Sequence, residues 1–309
     1  MFINKKRFRI FTWSTHRGSG MWDHLLRPGD TRRGSGTWDD LLTRVGLTDG
    51  ILAGMLLVVD AGNSHIVVGL YEAHCLIETW RAATGRERTG DEFGGLVLGW
   101  LQAAGLNPTG LDGIAIASVV PAATLELRRG LHRFLRHDPA VVGDDLMPPI
   151  AIRYDPPQAV GVDRVLNAFA AREKFGCPVV VVDLGTATTL DVVAADGAFV
   201  GGAIAPGISV SVEGLLRGAP HLPRVPLARP PSAIGGSTRE CLQVGAYYGC
   251  VGQVEALIAR TCAELGSETR VVATGGLAGL IAPECPHIDR VEPWLTLEGI
   301  RLTWQHHHA

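Results

Sequence analysis

Short apolar runs separated by turn residues dominate the chain from Met55 onward. Val, Ile and Leu are concentrated in 56–60, 66–71 and 76–82, and Gly62-Asn63 separates the first two runs. Runs of this length bounded by glycine and asparagine are typical of β-strands. The pattern therefore predicts three consecutive strands, with a tight turn between the first and the second.

Helices and strands are predicted to alternate after these three strands. The expected elements are a helix over 91–104 capped by Thr89, a strand over 113–119, a helix from Pro121 and a strand near 150–154. An amphipathic helix then begins near Gly161 and ends at Gly176. Its apolar face consists of Val162, Val165, Leu166, Phe169 and Ala170.

The same order of elements then returns in the second half of the chain. Strands are predicted at 179–183, 189–194, 198–204 and 270–273, with a turn at 195–197, a long helix over 237–265 and a helix from Leu297. A repeated strand–strand–strand unit followed by alternating elements predicts an α/β fold of two similar lobes. We expect an extension over 1–54, a first lobe over 55–160, a second lobe over 161–309 and an active-site cleft between the lobes.

The first 54 residues have a different character. RGSGMWDHLL at 17–26 nearly repeats as RGSGTWDDLL at 33–42, and the segment holds nine Lys and Arg against five Asp and Glu. Two copies of ten residues are too few for a solenoid. Three interpretations remain open: a translated stretch upstream of a true start at Met55, which we favour, a flexible basic arm, or a docking motif built on Trp22 and Trp38.

Composition excludes several classes of protein. The net charge of -3 gives no general case for nucleic-acid binding, and no apolar run reaches the length of a membrane span. The start has no apolar core followed by a cleavage site, so a signal peptide is not expected. Six scattered cysteines without a CxxC pair predict reduced thiols in a cytoplasmic protein.

Two aspartates stand at the ends of predicted buried strands. Asp60 and Asp183 each follow an apolar run, and Gly62 and Gly185 come two residues later. Glycine leaves backbone amides free for phosphate oxygens, and short donors follow in both copies: Asn63, Ser64, Thr186, Thr188 and Thr189. One such stretch alone is more often a plain hairpin turn, but two copies favour a binding site.

The known glycine-rich phosphate motifs are absent. Neither GxxxxGK[ST] nor GxGxxG after a strand occurs. The alternative is a phosphate clamp of two facing β-hairpins, as in the actin-like (ribonuclease H-like), sugar-kinase and Hsp70-like folds, where mixed sheets are flanked by helices. Gly275-Gly276 would then be a third contact.

The GVDR sequence at 161–164 supplies candidate catalytic groups. Asp163 at a helix start could simply favour the helix dipole. Alternatively, Asp163 accepts a proton from an alcohol while Arg164 binds an anion, a combination that phosphoryl transfer requires. His306–His308, a tag remnant or a native tail, and Ser209 with Ser211, which lack the GxSxG context, are weaker candidates.

Eight motifs in order resemble one family, the type III pantothenate kinases. The motifs are DAGNS at 60–64, RTGDE at 88–92, SVVP at 118–121, YDPPQAVGVDR at 154–164, DLGTATTLD at 183–191, GGAIAPG at 201–207, TGGLA at 274–278 and LTLEGIR at 295–301. The resemblance extends from Met55 to about Trp304. It implies ATP-dependent phosphorylation of pantothenate to 4'-phosphopantothenate, the first step of coenzyme A synthesis, by a homodimer.

The resemblance also implies roles for individual residues. ATP with Mg²⁺ would be bound by Asp60, Ala61, Gly62, Asn63, Ser64, His65, Ile66, Val67 and Thr186. Asp163 would be the base, and the pantothenate pocket would consist of Tyr154, Gly161, Val162, Asp163, Arg164 and, across the dimer interface, Thr238. Asp183 would bind the monovalent cation, K⁺ or NH₄⁺.

Small departures from the family pattern leave the required chemical groups in place. Ser64 replaces the usual threonine of the first turn and keeps its hydroxyl, and Ser237 replaces an asparagine before Thr238. The sequence therefore predicts an active enzyme. Two alternatives remain, another small-molecule kinase of the same fold and a non-catalytic regulatory protein, but three aspartates in one cleft favour a kinase.

Overall fold

The computed structural model describes residues 54–85, 87–266 and 268–309. The three interpretations of the N-terminal extension concern residues outside this part, apart from Gly54. The described helices are α1 (Gly90–Ala103), α2 (Pro121–Leu135), α3 (Val162–Phe175), α4 (Ile208–Gly218), α5 (Thr238–Leu265), α6 (Ala278–Ile281) and α7 (Leu295–His308). None of them is long and apolar enough to cross a membrane.

The first sheet has five strands in the order β3-β2-β1-β4-β5. They are β1 (Met55–Ala61), β2 (His65–Glu72), β3 (Cys75–Ala83), β4 (Leu111–Ser118) and β5 (Ala140–Val141). β1, β2 and β3 form an antiparallel meander, whereas β4 is parallel to β1 and β5 to β4. Apolar side chains of α1 and α2 share a core with one face of this sheet.

The second sheet repeats this arrangement. Its strands are β6 (Val179–Leu184), β7 (Ala187–Val193), β8 (Phe199–Pro206), β9 (Arg270–Thr274) and β10 (Arg290–Val291), in the order β10-β9-β6-β7-β8. Again the first three strands are antiparallel and the later ones parallel. The repeat confirms the predicted fold class of two actin-like lobes, each with a mixed sheet.

Helices α3 and α7 connect the two lobes. Phe169 of α3 and Leu295 of α7 lie in a core with the second sheet. Leu166 of α3 and Leu297 of α7 lie in another core with the first sheet. The predicted division at residue 160 stays a prediction, and α7 shows that the end of the chain contributes to the core of the first sheet.

Local signals in the sequence located most element ends. Thr89 caps α1 by accepting a hydrogen bond from the N–H of Glu92, and the Glu92 carboxylate accepts one from the N–H of Thr89, so the pair forms a capping box. Gly176 ends α3 and Ser237 caps α5. The strand expected near 150–154 is wrong, because this segment forms one isolated bridge between Ile152 and Phe199. Helix α4 and the short strand β5 were not predicted from the sequence.

Candidate active site

Two aspartates occupy equivalent positions in the two sheets. Asp60 is the penultimate residue of β1, and Asp183 is the penultimate residue of β6. Each strand is the middle one of its sheet, with an antiparallel neighbour on one side and a parallel neighbour on the other. Both carboxylates therefore emerge where a central strand ends, which is where ligands bind in open α/β sheets.

Asp163 completes a cluster of three carboxylates. Burial, together with the negative charges of Asp163 and Asp183, raises the pKa of Asp60 to about 7. Burial and the charge of Asp163 raise the pKa of Asp183 to about 6. Burial also raises the pKa of Asp163, although the backbone N–H of Arg164, 2.8 Å from its Oδ1, opposes the shift. Mutual repulsion of this kind means that the three carboxylates share one site.

This cluster suits a bound cation. Buried carboxylates without a compensating charge are costly, and a divalent ion removes both the desolvation penalty and the repulsion. Within the described part of the chain, no group of three or more His, Cys, Asp or Glu side chains is arranged as a preformed metal site. A Mg²⁺ ion held here would take further ligands from phosphate and water, as is usual for magnesium in kinases.

The turn between β1 and β2 exposes backbone amides. The N–H of Gly62 donates to the carbonyl of His65 at 3.0 Å and closes the hairpin. Among the described residues, the N–H groups of Asn63 and Ser64 have no hydrogen-bond acceptor. The side chains of Ala61 and Ile66 are buried in the core of the first lobe, so these two residues can meet a ligand through the backbone alone. Val67 is half-buried.

The second hairpin turn lies against the first. The Ser64 Oγ is 2.9 Å from the Thr186 Oγ1, so the two hydroxyls form a hydrogen bond between the lobes. Gly275 has φ +91° after β9, and a Cβ there would overlap the Asp183 carboxylate and the backbone of Leu184. Glycine is thus required at the TGG motif for the chain to pass close to Asp183.

Arg164 is already engaged by the protein. Its Nε donates to the Asp191 Oδ1 at 2.6 Å, and its Nη2 donates to the Leu190 carbonyl at 3.4 Å. Burial raises the pKa of Asp191 to about 7, although the charge of Arg164 opposes that shift. Asp191 was not among the site residues predicted from the sequence. The available signal was a charged residue inside the apolar strand TTLDVV.

A second missed contact reaches Asp183. The Asn167 Nδ2 donates to the Asp183 Oδ2 at 3.2 Å, and the Thr296 hydroxyl donates to the Asn167 Oδ1 at 2.8 Å. Asn167 is buried on α3 and Thr296 lies in the first turn of α7. The signal for Asn167 was an amide on the buried face of an amphipathic helix.

The remaining residues predicted for the pantothenate pocket lie before α3, within α3 and at the start of α5. Gly161 precedes α3, and a Cβ there would be 2.5 Å from the Asp163 Oδ1. Val162 is half-buried beside the core that α3 shares with the first sheet, and Tyr154 packs its ring 6.2 Å from that of Phe199. Thr238 is exposed at the start of α5, and in the described structure it makes no hydrogen bond to the aspartates.

Comparison with known proteins agrees on one family. A sequence profile described as type III pantothenate kinase matches residues 56–260. A type III pantothenate kinase of Moorella thermoacetica is 46% identical over 251 residues, which are 81% of this chain and 99% of that protein. One of Myxococcus xanthus is 43% identical over 255 residues, 82% of this chain and 100% of that protein.

A solved structure supports the fold. A protein from Campylobacter jejuni, described as a Baf family transcriptional activator, aligns with a TM-score of 0.53 at 17% identity. The alignment covers 82% of this chain and 98% of that chain. At this identity the likeness concerns the arrangement of the two lobes and not the activity.

Proposed function

The chain belongs to the type III pantothenate kinase family, and from that premise we propose that it transfers the γ-phosphoryl group of ATP to a hydroxyl of pantothenate. The product is 4'-phosphopantothenate, the first intermediate of coenzyme A biosynthesis. The observation that carries this proposal is the cluster of Asp60, Asp163 and Asp183 at the meeting point of two hairpin turns. A kinase needs a phosphate cradle, a cation site and a base in one place.

Asp163 is the proposed general base. It removes the proton from the pantothenate hydroxyl, whose oxygen attacks the γ-phosphorus as the bond to ADP breaks. Burial raises the pKa of Asp163, which makes it a stronger proton acceptor than a free aspartate. The adjacent N–H of Arg164 fixes the carboxylate at the start of α3.

Asp60 and the turn over 61–67 are proposed to bind ATP with Mg²⁺. The free N–H groups of Asn63 and Ser64 suit phosphate oxygens, and the hydroxyl of Thr186 reaches the same place from the second lobe. The metal would neutralise charge on the phosphates. Asp60 would help to hold the metal, because its carboxylate lies near those of Asp163 and Asp183 and a cation would offset their shared negative charge.

The decisive experiment supplies ATP, Mg²⁺, K⁺ and pantothenate and measures ADP and 4'-phosphopantothenate. We expect turnover by the wild type and at least a hundredfold loss of kcat in Asp163→Asn, the range for a general base. Asp112→Asn, an exposed aspartate of β4, is the matched control and should keep full activity. A wild type that is inert with pantothenate but phosphorylates a sugar or acetate would contradict the pantothenate assignment.

Asp183 is proposed to bind a monovalent cation, K⁺ or NH₄⁺. Its carboxylate is buried and receives one amide hydrogen bond from Asn167, which leaves its charge uncompensated. Replacing K⁺ by Na⁺ should lower activity. Because the pKa of Asp183 is about 6, protonation should weaken activation by K⁺ as the pH falls below that value. Equal rates in K⁺ and Na⁺ at pH 8 would refute this site.

We also propose a homodimer in which Thr238 enters the partner's active site. Large apolar side chains lie exposed on β8, α4 and the segment before α5: Ile204, Val210, Leu215 and Ile234. Exposed large apolar side chains of this kind are typical of protein interfaces when they lie together. A mixture of Asp163→Asn and Thr238→Arg chains tests the arrangement. In a mixed dimer, the Thr238→Arg chain keeps its own Asp163 and receives an intact Thr238 from the Asp163→Asn chain, so one of the two sites is complete. Restored activity supports the shared site, and a mixture as inactive as its parents contradicts it.

The proposed location is the cytoplasm. All six cysteines are free, including the exposed Cys75, Cys177 and Cys241. Unpaired exposed thiols suit a reducing compartment. Thiol labelling of the protein in intact cells checks this, because oxidised cysteines would not react.

A further inference from the structure

Thr84 holds both ends of the turn between β1 and β2. It follows directly after β3 and is 3% exposed. Its hydroxyl donates to the carbonyl of Gly62 at 2.6 Å, and its backbone N–H donates to the carbonyl of Ser64 at 3.0 Å. The residue that follows the third strand therefore fixes two of the peptide groups that form the turn.

These two contacts determine the direction of the neighbouring amides. In a trans peptide the C=O and N–H of one plane point in opposite directions. The carbonyl of Gly62 shares its plane with the N–H of Asn63, and that of Ser64 shares its plane with the N–H of His65. With both carbonyls bound to Thr84, the N–H groups of Asn63 and His65 point away from it.

The position of the turn makes this orientation relevant to the nucleotide. The hydroxyl of Ser64 contacts Thr186 of the second hairpin, so the turn lies where the lobes meet. The N–H of Asn63 finds no acceptor among the described residues and is free for an anion. A backbone N–H that is free and held in one direction can contribute to an anion-binding concavity.

We propose that Thr84 is a positioning residue for phosphate binding, and that its side-chain hydroxyl keeps the turn in the conformation that ATP requires. The inference rests on the proposed binding of ATP at this turn but not on which alcohol accepts the phosphoryl group. Without the hydroxyl, the carbonyl of Gly62 loses its partner and the peptide plane is free to rotate. ATP binding must then restore one orientation, at the cost of affinity.

The test replaces Thr84 by valine, which has the same shape without the hydroxyl. The dissociation constant of ATP with Mg²⁺ is measured by calorimetry on the full chain without pantothenate, alongside KM for both substrates. A net hydrogen bond corresponds to a change of about three- to tenfold. We expect the ATP dissociation constant and KM to rise by that factor in Thr84→Val, with KM for pantothenate unchanged. Thr84→Ser, which retains the hydroxyl, should bind ATP as the wild type does.

Thr303 provides a matched control. It is also fully buried, and its hydroxyl donates to the Gly299 carbonyl at 2.8 Å within α7. Thr303→Val loses an equivalent bond outside the turn, so it should lower the melting temperature without changing ATP affinity.

Three outcomes would overturn the proposal. They are unchanged ATP binding in folded Thr84→Val, an equal loss of affinity in Thr303→Val, or failure of Thr84→Ser to retain affinity. If Thr84→Val does not fold, Thr84→Ala takes its place, and unchanged ATP binding in that variant has the same meaning. An inert wild type with pantothenate would refute the proposed function, whereas the binding measurement would still test Thr84.

Discussion

At the residue scale, Arg164 and Asp191 bury a pair of opposite charges beside the proposed base. Their side chains are 10% and 0% exposed, and the second Asp191 oxygen accepts a hydrogen bond from the Thr189 hydroxyl at 3.2 Å. A buried pair is costly to form, but losing one partner leaves an unpaired charge, which costs more. Asp191 therefore fixes the direction of the Arg164 guanidinium and limits which of its N–H groups can reach a substrate.

Asp191→Asn should lower the free energy of unfolding by about 3 kcal/mol, because the Arg164 charge is then left without its partner. KM for pantothenate should rise as well, since Arg164 is proposed to line that pocket, whereas KM for ATP should not. Denaturant titration and steady-state kinetics measure the two effects.

The control is Glu298→Gln, which removes the partner of the buried Arg301 within α7. This variant should lose stability but keep both KM values. If Glu298→Gln raises KM for pantothenate as much as Asp191→Asn does, the effect comes from general destabilisation and not from Arg164.

Some residues of the candidate site are marked by local signals in the sequence, and others are not. Asp60 and Asp183 could be found because a charge directly after an apolar run is a local signal. Thr84, Asn167 and Asp191 could not be assigned, because their partners are 22, 16 and 27 residues away in sequence. Their partners are chosen by the register of strands and by the packing of α3 on the second sheet.

At the element scale, α3 and α7 lie unusually close to each other. A Cβ placed on Gly299 of α7 would be 2.5 Å from the carbonyl oxygen of Leu166 in α3. Small residues permit such contact, and the resulting pair of helices carries Asp163 at one end and contacts both sheets. The glycine of the LTLEGIR motif thus allows α7 to pack closely against α3.

Gly299→Ala should destabilise the protein by about 1–3 kcal/mol, because the added methyl group forces the two helices apart. Activity should fall too, since α3 positions Asp163. Thermal unfolding and kcat provide the measurements.

Gly99→Ala is the comparison, as Gly99 is an exposed glycine within α1 with no neighbouring atom within 4 Å of the added carbon. That substitution should raise stability by up to about 1 kcal/mol through helix propensity. Equal effects of the two substitutions would contradict a close approach of α3 and α7.

At the scale of the whole molecule, the sequence match to known relatives does not include the N-terminal segment, residues 1–54. The profile begins at residue 56, and 81% of this chain accounts for 99% of the Moorella thermoacetica protein. Met55 is the first residue of β1, and it is buried in the core of the first lobe. Among the described residues, the first strand of the first lobe begins at Met55.

A chain beginning at Met55 should match the full chain in melting temperature, oligomeric state and kcat, because every described core residue is retained. Differential scanning calorimetry, sedimentation and the kinase assay check the three properties. A loss of dimerisation would favour the docking interpretation of Trp22 and Trp38, and a loss of stability would show that the extension packs on the lobes.

The sequence by itself determined the repeated order of strands and helices, the two strand-end aspartates and the family. These features depend on local patterns, namely apolar periodicity, glycine turns, helix caps and motifs of a few residues. Tertiary structure alone decided that α7 returns to the first sheet, that Asp191 holds Arg164, and that Thr84 holds the turn between β1 and β2. The reason is physical: burial demands a partner for each polar group, and which partner is near depends on how distant segments pack.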